Sequence, residues 1–258
     1  MNRSSRRPKG GFRPLVVCWV LVVVVVFGFA LSLHDAGTGA LDLEFTKRLA
    51  KTLHIKYSQE VHHVDPPILE AAKAGNTDDV EVLVSSGVDV TVKDRRKDTV
   101  LHFLSGLQRD RIHTMKLVIE SKGGKELVNA RGFHGRTPLI KAAFNNLPRI
   151  IKLLLYKGAK VEITDDFSDG PLHEAARGHG GKEAMQLLLD GHPGLVNVPG
   201  HNRTTPLMYA AVANKPKVFE FLLGEGADST LKDAMGATAK KVASTKCPGC
   251  LAVLKNQQ

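Results

Sequence analysis

Apolar residues along most of this chain fall into clusters with helical spacing, and the clusters recur. One kind is short and mostly closes on small residues. Its copies are Ile68-Leu69-Glu70-Ala71-Ala72, Leu101-His102-Phe103-Leu104-Ser105, Leu139-Ile140-Lys141-Ala142-Ala143, Leu172-His173-Glu174-Ala175-Ala176 and Leu207-Met208-Tyr209-Ala210-Ala211. Successive copies begin 33, 38, 33 and 35 residues apart. Roughly ten residues after each comes a longer run, such as Ile150, Ile151, Leu153, Leu154 and Leu155 or Val218, Phe219, Phe221, Leu222 and Leu223. Each pair predicts a thin first helix and a second helix with one buried face. A glycine follows every long run (Gly87, Gly123, Gly158, Gly191, Gly226), as suits a helix end in the left-handed conformation. Short β-prone stretches follow, such as Val88-Asp89-Val90, and predict hairpin loops. A unit this small cannot hide its own apolar side. A fixed period of this size predicts copies stacked in a file, each covering the next.

The first helices begin with chemistry suited to the task. In Thr137-Pro138-Leu139 and Thr205-Pro206-Leu207 the threonine can cap free N–H groups, and proline fits the first helical turn. The Ala pair keeps the helix thin, so neighbours approach closely. Helix, turn, helix and hairpin at a period near 33 resembles the ankyrin repeat. The best matches are Gly135-Arg136-Thr137-Pro138-Leu139 with Ala142-Ala143, Gly170-Pro171-Leu172-His173-Glu174-Ala175-Ala176 and Gly226-Ala227-Asp228. The resemblance covers 64–258. It implies an all-α solenoid of about five repeats and a C-terminal cap, Gly236 to Leu254, where Lys240 and Lys241 replace Leu-His. The second unit departs from the pattern at Val100, Leu104-Ser105 and an extended 38-residue length, and the fourth has Gly170 in place of Thr.

The front of the chain has a different pattern. Leu15 to Leu33 is 19 residues without a charge, about 28 Å as a helix, close to the hydrocarbon thickness of a bilayer. Arg3, Arg6, Arg7, Lys9 and Arg13 precede it with no acid among them; His34, Asp35, Asp42 and Glu44 follow. The expectation is a basic cytosolic tail at 1–14, a transmembrane signal-anchor at 15–33 and an amphipathic helix and linker at 41–63. The repeats then lie on the lumenal or extracellular side. The alternative is a cleaved signal peptide, with a weak small-residue site at Thr38-Gly39-Ala40, and a secreted product. In 41–60, Leu41, Phe45, Leu49 and Leu53 share one face, with Lys47, Arg48, Lys51 and Lys56 elsewhere. That pattern suits a linker helix over the first repeat better than a basic helix on lipid headgroups. Asn202-Arg203-Thr204 is an N-glycosylation acceptor at a predicted hairpin, and Asn2-Arg3-Ser4 is another on the opposite flank of the apolar run.

Charge and composition add little. Net charge is +10, of which the five basic residues of the tail supply half. The remainder is a modest basic excess with no nucleic-acid motif beside it. His-Glu-x-x-His, a phosphate-cradling glycine loop and Gly-x-Ser-x-Gly are missing from the sequence, so the expectation is no enzyme, no cofactor, no metal and no small-molecule substrate. Cys247-Pro248-Gly249-Cys250 has the spacing of exchange motifs and of half a zinc site. The simpler expectation is a turn between two helices with a local disulfide. A lumenal thiol–disulfide redox protein using this pair is the rival function. The resemblance implies that His102 and His173 are structural, bonding within and between units. It also implies that a protein partner binds at the hairpin tips and first helices. Carried onto this chain, the tip positions are Arg95, Arg96, Phe133, His134, Asp166, Phe167, His201 and Asn202. The first-helix positions are Phe144, Asn145, Arg177, Val212 and Ala213. Phe133, Phe144 and Phe167 carry the most weight, because aromatic residues dominate interface energetics.

Overall fold

The computed structural model describes residues 65–106, 111–179 and 181–256. The tail, apolar run and amphipathic segment expected at 1–14, 15–33 and 41–63 lie outside the described residues. Among the described residues no helix is long and apolar enough to cross a membrane.

Twelve α-helices follow in pairs among these residues. They are α1 (Pro67–Ala74), α2 (Thr77–Ser85), α3 (Val100–Leu104), α4 (Ile112–Glu120), α5 (Pro138–Phe144) and α6 (Pro148–Tyr156). The second half continues as α7 (Pro171–Arg177), α8 (Lys182–Leu189), α9 (Pro206–Val212), α10 (Pro216–Gly224), α11 (Ala239–Lys246) and α12 (Pro248–Asn256). Odd-numbered helices pack on one another in sequence from α1 to α11, forming one row. Even-numbered helices pack in a second row, where α8 meets α10 through Lys182 over the Phe221 ring (5.7 Å), and each pair packs internally. The order in space is the order in the chain, as a solenoid requires.

The recurring apolar positions fill the space between the rows. Ile68, Leu101, Leu139, Leu172 and Leu207 are all buried, and so are Ala142, Ala143, Ala175, Ala176, Ala210 and Ala211. The small alanines let first helices approach, and the second helices wedge Ile151, Leu154, Met185, Leu188 and Phe219 behind them. Each large side chain so buried is worth about 1.5–3 kcal/mol. Helix starts are capped in two ways. Thr137 Oγ1 accepts the Ile140 N–H at 3.3 Å and Thr205 Oγ1 that of Met208 at 3.4 Å. In the second and fourth units a histidine takes over: His102 Nδ1 accepts from the Thr99 N–H and His173 Nδ1 from the Gly170 N–H, both at 3.1 Å. The histidine bond satisfies the N–H of the capping residue itself, whereas the threonine hydroxyls accept the N–H three residues on.

Two expectations are corrected. The loops are not β-hairpins of paired strands: among the described residues the one β-bridge outside a strand is Lys232 with Thr238, and no strand is formed. Their polar groups are used locally. Asp89 Oδ1 accepts both the backbone N–H and the hydroxyl of Thr91, a side-chain turn that competes with strand pairing. Pro248-Gly249 does not form the turn between the last two helices. Pro248 opens α12, where proline's missing N–H costs nothing.

Candidate functional site

Five tight turns project from one end of the helix pairs. Each is closed by a main-chain bond across five residues: Asp94 to Asp98 (3.0 Å), Gly132 to Arg136 (2.8 Å), Asp165 to Asp169 (2.9 Å), Gly200 to Thr204 (2.9 Å) and Asp233 to Ala237 (3.0 Å). The turns opening on aspartate are organised by that side chain. Asp94 Oδ1 accepts the N–H groups of Arg96 and Asp98, each at 2.8 Å, and Asp165 and Asp233 repeat the arrangement. The turns opening on glycine receive the preceding unit. Asp98 Oδ1 accepts the Phe133 N–H and Asp169 Oδ1 the His201 N–H, both at 2.9 Å. A Cβ on Gly132 would lie 2.1 Å from Asp98 Oδ1, and one on Gly200 at the same distance from Asp169 Oδ1. Glycine at these two places is needed for that close approach.

Main-chain bonds supply the other links. The Asp166 N–H donates to His134 O (2.9 Å) and the Ala234 N–H to Asn202 O (2.8 Å). All five tips are thus bonded each to the next. On top of this file the side chains form a ladder. Arg96 lies over the Phe133 ring (5.0 Å), Phe133 meets His134 (3.8 Å), His134 meets Phe167 (5.3 Å), and Phe167 meets His201 edge-on (5.7 Å). Phe133 remains 39% and Phe167 43% exposed, and Met235 on the fifth tip is 91% exposed. The phenylalanines therefore lean on neighbours without being covered.

The sequence-derived positions do not all join this edge. Arg95, Arg96, Phe133, His134, Phe167, His201 and Asn202 are exposed on it. Asp166 is there too but is paired with Arg131 at 3.0 Å. On the first helices, Asn145 donates to its own helix at Lys141 O (2.9 Å). Phe144 is half-buried beneath the Arg177 guanidinium (5.8 Å) and beside His179. Val212 is 51% exposed, and Ala213 is half-buried.

Beneath the edge, sequence reasoning named His102 and His173 but missed the charged and amide groups around them. Asp98 Oδ2 accepts from the Lys141 ammonium at 2.7 Å. Burial pushes the Asp98 carboxyl up, but Lys141 and the Phe133 N–H outweigh it and hold it below the ordinary range. Asp169 Oδ2 accepts from the Tyr209 hydroxyl at 2.7 Å; burial and that bond push the phenol up. Glu174, nearly inaccessible, lies against Arg177 (2.5 Å) and Arg136 (3.4 Å), and Arg136 also faces Asp165 (3.5 Å). His102 Nε2 reaches Arg136 O and His173 Nε2 reaches Val198 O, each at 2.9 Å across a unit boundary. Burial pushes His102 down to about 4 and His173 in the same direction. Both rings act as neutral struts. Asparagine does the same work nearer the second helices. Asn129 bridges Gly158 O and the Lys160 N–H, and Asn197 bridges Gly226 O and the Asp228 N–H.

Cys247 and Cys250 form a disulfide at the start of α12, and both are wholly buried. Among the described residues no group of histidine, cysteine or acid has the arrangement to hold a metal ion.

Helix pairs in file, locked by histidine and asparagine where the second unit meets the third and the fourth meets the fifth, define a helical repeat solenoid, a class that works through its surface. The family model for ankyrin repeats matches residues 68–165 and 158–233, and the chain belongs to that family. It is 32% identical over 124 residues to the human transient receptor potential cation channel subfamily A member 1, spanning 48% of this chain and 11% of the channel. It is 24% identical over 196 residues to the phosphocholine transferase AnkX of Legionella pneumophila (70% and 20%). The bovine mitochondrial disaggregase is 26% identical over 186 residues (70% and 21%). The chain thus spans about a tenth to a fifth of these relatives. Among solved structures it is similar to a chain from the complex of the predatory endopeptidase Bd0816 of Bdellovibrio bacteriovorus with immunity protein Bd3460. The TM-score is 0.62 at 25% identity, covering 75% of this chain and 99% of that one.

Proposed function

We propose that this chain is a membrane-tethered scaffold that binds a protein partner along the row of turn tips and performs no catalysis itself. The observation that carries the reading is the tip file: five turns bonded in series, with Phe133, Phe167 and Met235 left open to solvent. Rigid exposed aromatics bind at small entropic cost. Ankyrin repeats are protein-binding modules, and the similar solved chain described above comes from a complex between two proteins. The tether is the uncharged run Leu15–Leu33 behind a basic tail, which would hold the repeats on the lumenal or extracellular side. A glycan on Asn202 would then cover the fourth tip and leave the first three for the partner. The full burial of Cys247 and Cys250 favours a clasp on the last helix pair over thiol exchange with another protein.

The test is capture of partner by the full chain, displayed on cells, against a Phe133→Ala/Phe167→Ala variant. Tyr156→Ala on the opposite row is the control, since that side chain is 84% exposed. Capture should fall at least tenfold in the double variant alone, with helical content kept. Equal capture by all three would remove the tips from the site. A glycosidase mobility shift lost in Asn202→Gln checks sidedness in the same cells.

A further inference from the structure

The turn tips carry charge of one sign outward, and the reason is structural. Asp94, Asp165 and Asp233 spend an oxygen on two N–H groups of their own turn. Asp98 and Asp169 turn into the next unit, toward Lys141 and Tyr209 respectively. Asp166 is neutralised by Arg131. Every carboxylate of the five turns is therefore engaged within the fold. Several cations at or beside the turns are not. Lys93, Lys97, Arg203 and Lys232 are exposed and make no ion pair with any described residue. Arg96 lies over the Phe133 ring, which holds its planar fork in place while leaving its N–H groups for an incoming acceptor. Sequence counting hides this, since the same turns contain six aspartates.

We infer that the tip edge takes an acidic, extended segment of a protein partner, one whose carboxylates alternate with apolar side chains. The carboxylates meet Arg96 and Lys97 at one end and, on a chain without a glycan at Asn202, Arg203 and Lys232 at the other. The apolar side chains lie on Phe133 and Phe167 between them. Matched charge sets orientation and speeds encounter, while the desolvated aromatics hold the complex. This deepens the scaffold reading and rests on it: it names the chemistry of the partner at the same edge.

The test uses the full chain in detergent micelles and a labelled peptide of alternating glutamate and phenylalanine, read by fluorescence anisotropy. A peptide with lysine for each glutamate is the control. The acidic peptide should bind, weakening as salt rises, and the lysine peptide should not. Arg96→Glu/Lys97→Glu should weaken binding about tenfold or more, and so should Phe133→Ala/Phe167→Ala. The charge-reversed residues are exposed tip side chains whose loss breaks no buried contact, so helical content should not change. Equal binding of both peptides, or indifference to charge reversal, overturns the inference. Heparin and phosphatidylserine vesicles form two further arms. Binding to either that survives the loss of both phenylalanines, with no peptide binding, would assign the edge to a polyanion that is not protein. If partner capture is lost in the phenylalanine variant while the acidic peptide fails to bind, the edge stands and only the partner chemistry falls.

Discussion

Replacing Asp98 with alanine should damage this molecule more than any other single change at the turns. Its carboxylate joins the first tip to the second through the Phe133 N–H and anchors the third first-helix through Lys141. Removing it orphans a part-buried N–H, at about 1–3 kcal/mol. It also strands an ammonium whose buried pair would be worth about 3–5 kcal/mol. The Lys141 side chain keeps 21% of its exposure, so water recovers much of the second term. A total near 3 kcal/mol is expected, about half of it restored by Asp98→Asn, which still accepts from Phe133. Because the lost bonds cross a unit boundary, unfolding should also become less cooperative, with α1 to α4 melting ahead of the rest. Urea denaturation of the full chain in micelles, followed by circular dichroism, measures the first effect. Hydrogen exchange of the individual helices measures the second. Asp98 is held below its ordinary pKa, so its contribution is complete above about pH 4 and disappears as pH falls through the lower native value. The variant should therefore lose part of the acid-induced destabilisation seen below pH 4. A loss under about 0.5 kcal/mol, or a double-mutant cycle with Lys141→Met that shows no coupling, would refute the reasoning.

His102 titrates natively at about 4, against about 6.5 in an unfolded chain, so the unfolded state takes up the proton first as pH falls. Stability should be full above about pH 6.5 and decline by about 2 kcal/mol toward pH 5, with His173 adding in the same direction. An imidazole midpoint above 6 for His102 by NMR would overturn this. Gly132→Ala and Gly200→Ala should each cost about 1–3 kcal/mol, because the new methyl meets a buried carboxylate and the neighbouring histidine. Gly194→Ala, where a methyl meets nothing, should be close to neutral in the same melts.

The helices were legible because burial is periodic. Leu139, Leu172 and Leu207 recur at nearly equal steps, and the structure buries all three. The glycines after the second helices were legible for a similar reason: Gly87, Gly158 and Gly226 have φ of 78°, 89° and 88°, a region other residues avoid. The turns were only half legible. Val88-Asp89-Val90 has the composition of a strand, but Asp89 satisfies the backbone locally and no ladder forms. The spacing Asp94-x-x-x-Asp98, repeated at Asp165 and Asp169, was present in the sequence. By itself it says little, because aspartate is common in any turn. Its meaning comes from a partner one unit away, the Phe133 or His201 N–H, and local patterns do not encode that distance. The same holds for Asn129 and Asn197, each preceded by Leu-Val in the sequence and each bridging to a loop about thirty residues on. Phe144 was weighted as an exposed anchor, but Arg177 and His179 from the next unit partly cover it.

That distinction separates what keeps the file together from what it shows. The groups that cross unit boundaries, Asp98, Asp169, His102, His173, Asn129 and Asn197, spend their bonds inside the fold. The side chains at positions 96, 133, 167, 201 and 235 stand on turns that those bonds fix, and each contributes little to stability in return. Exposed substitutions of this kind usually change stability by less than about 0.5 kcal/mol. The edge is consequently free to vary in what it recognises without risk to the stack beneath it. A turn fixed at its base also loses little freedom on binding, so a few exposed rings and cations suffice to hold a partner on a surface that has no deep pocket.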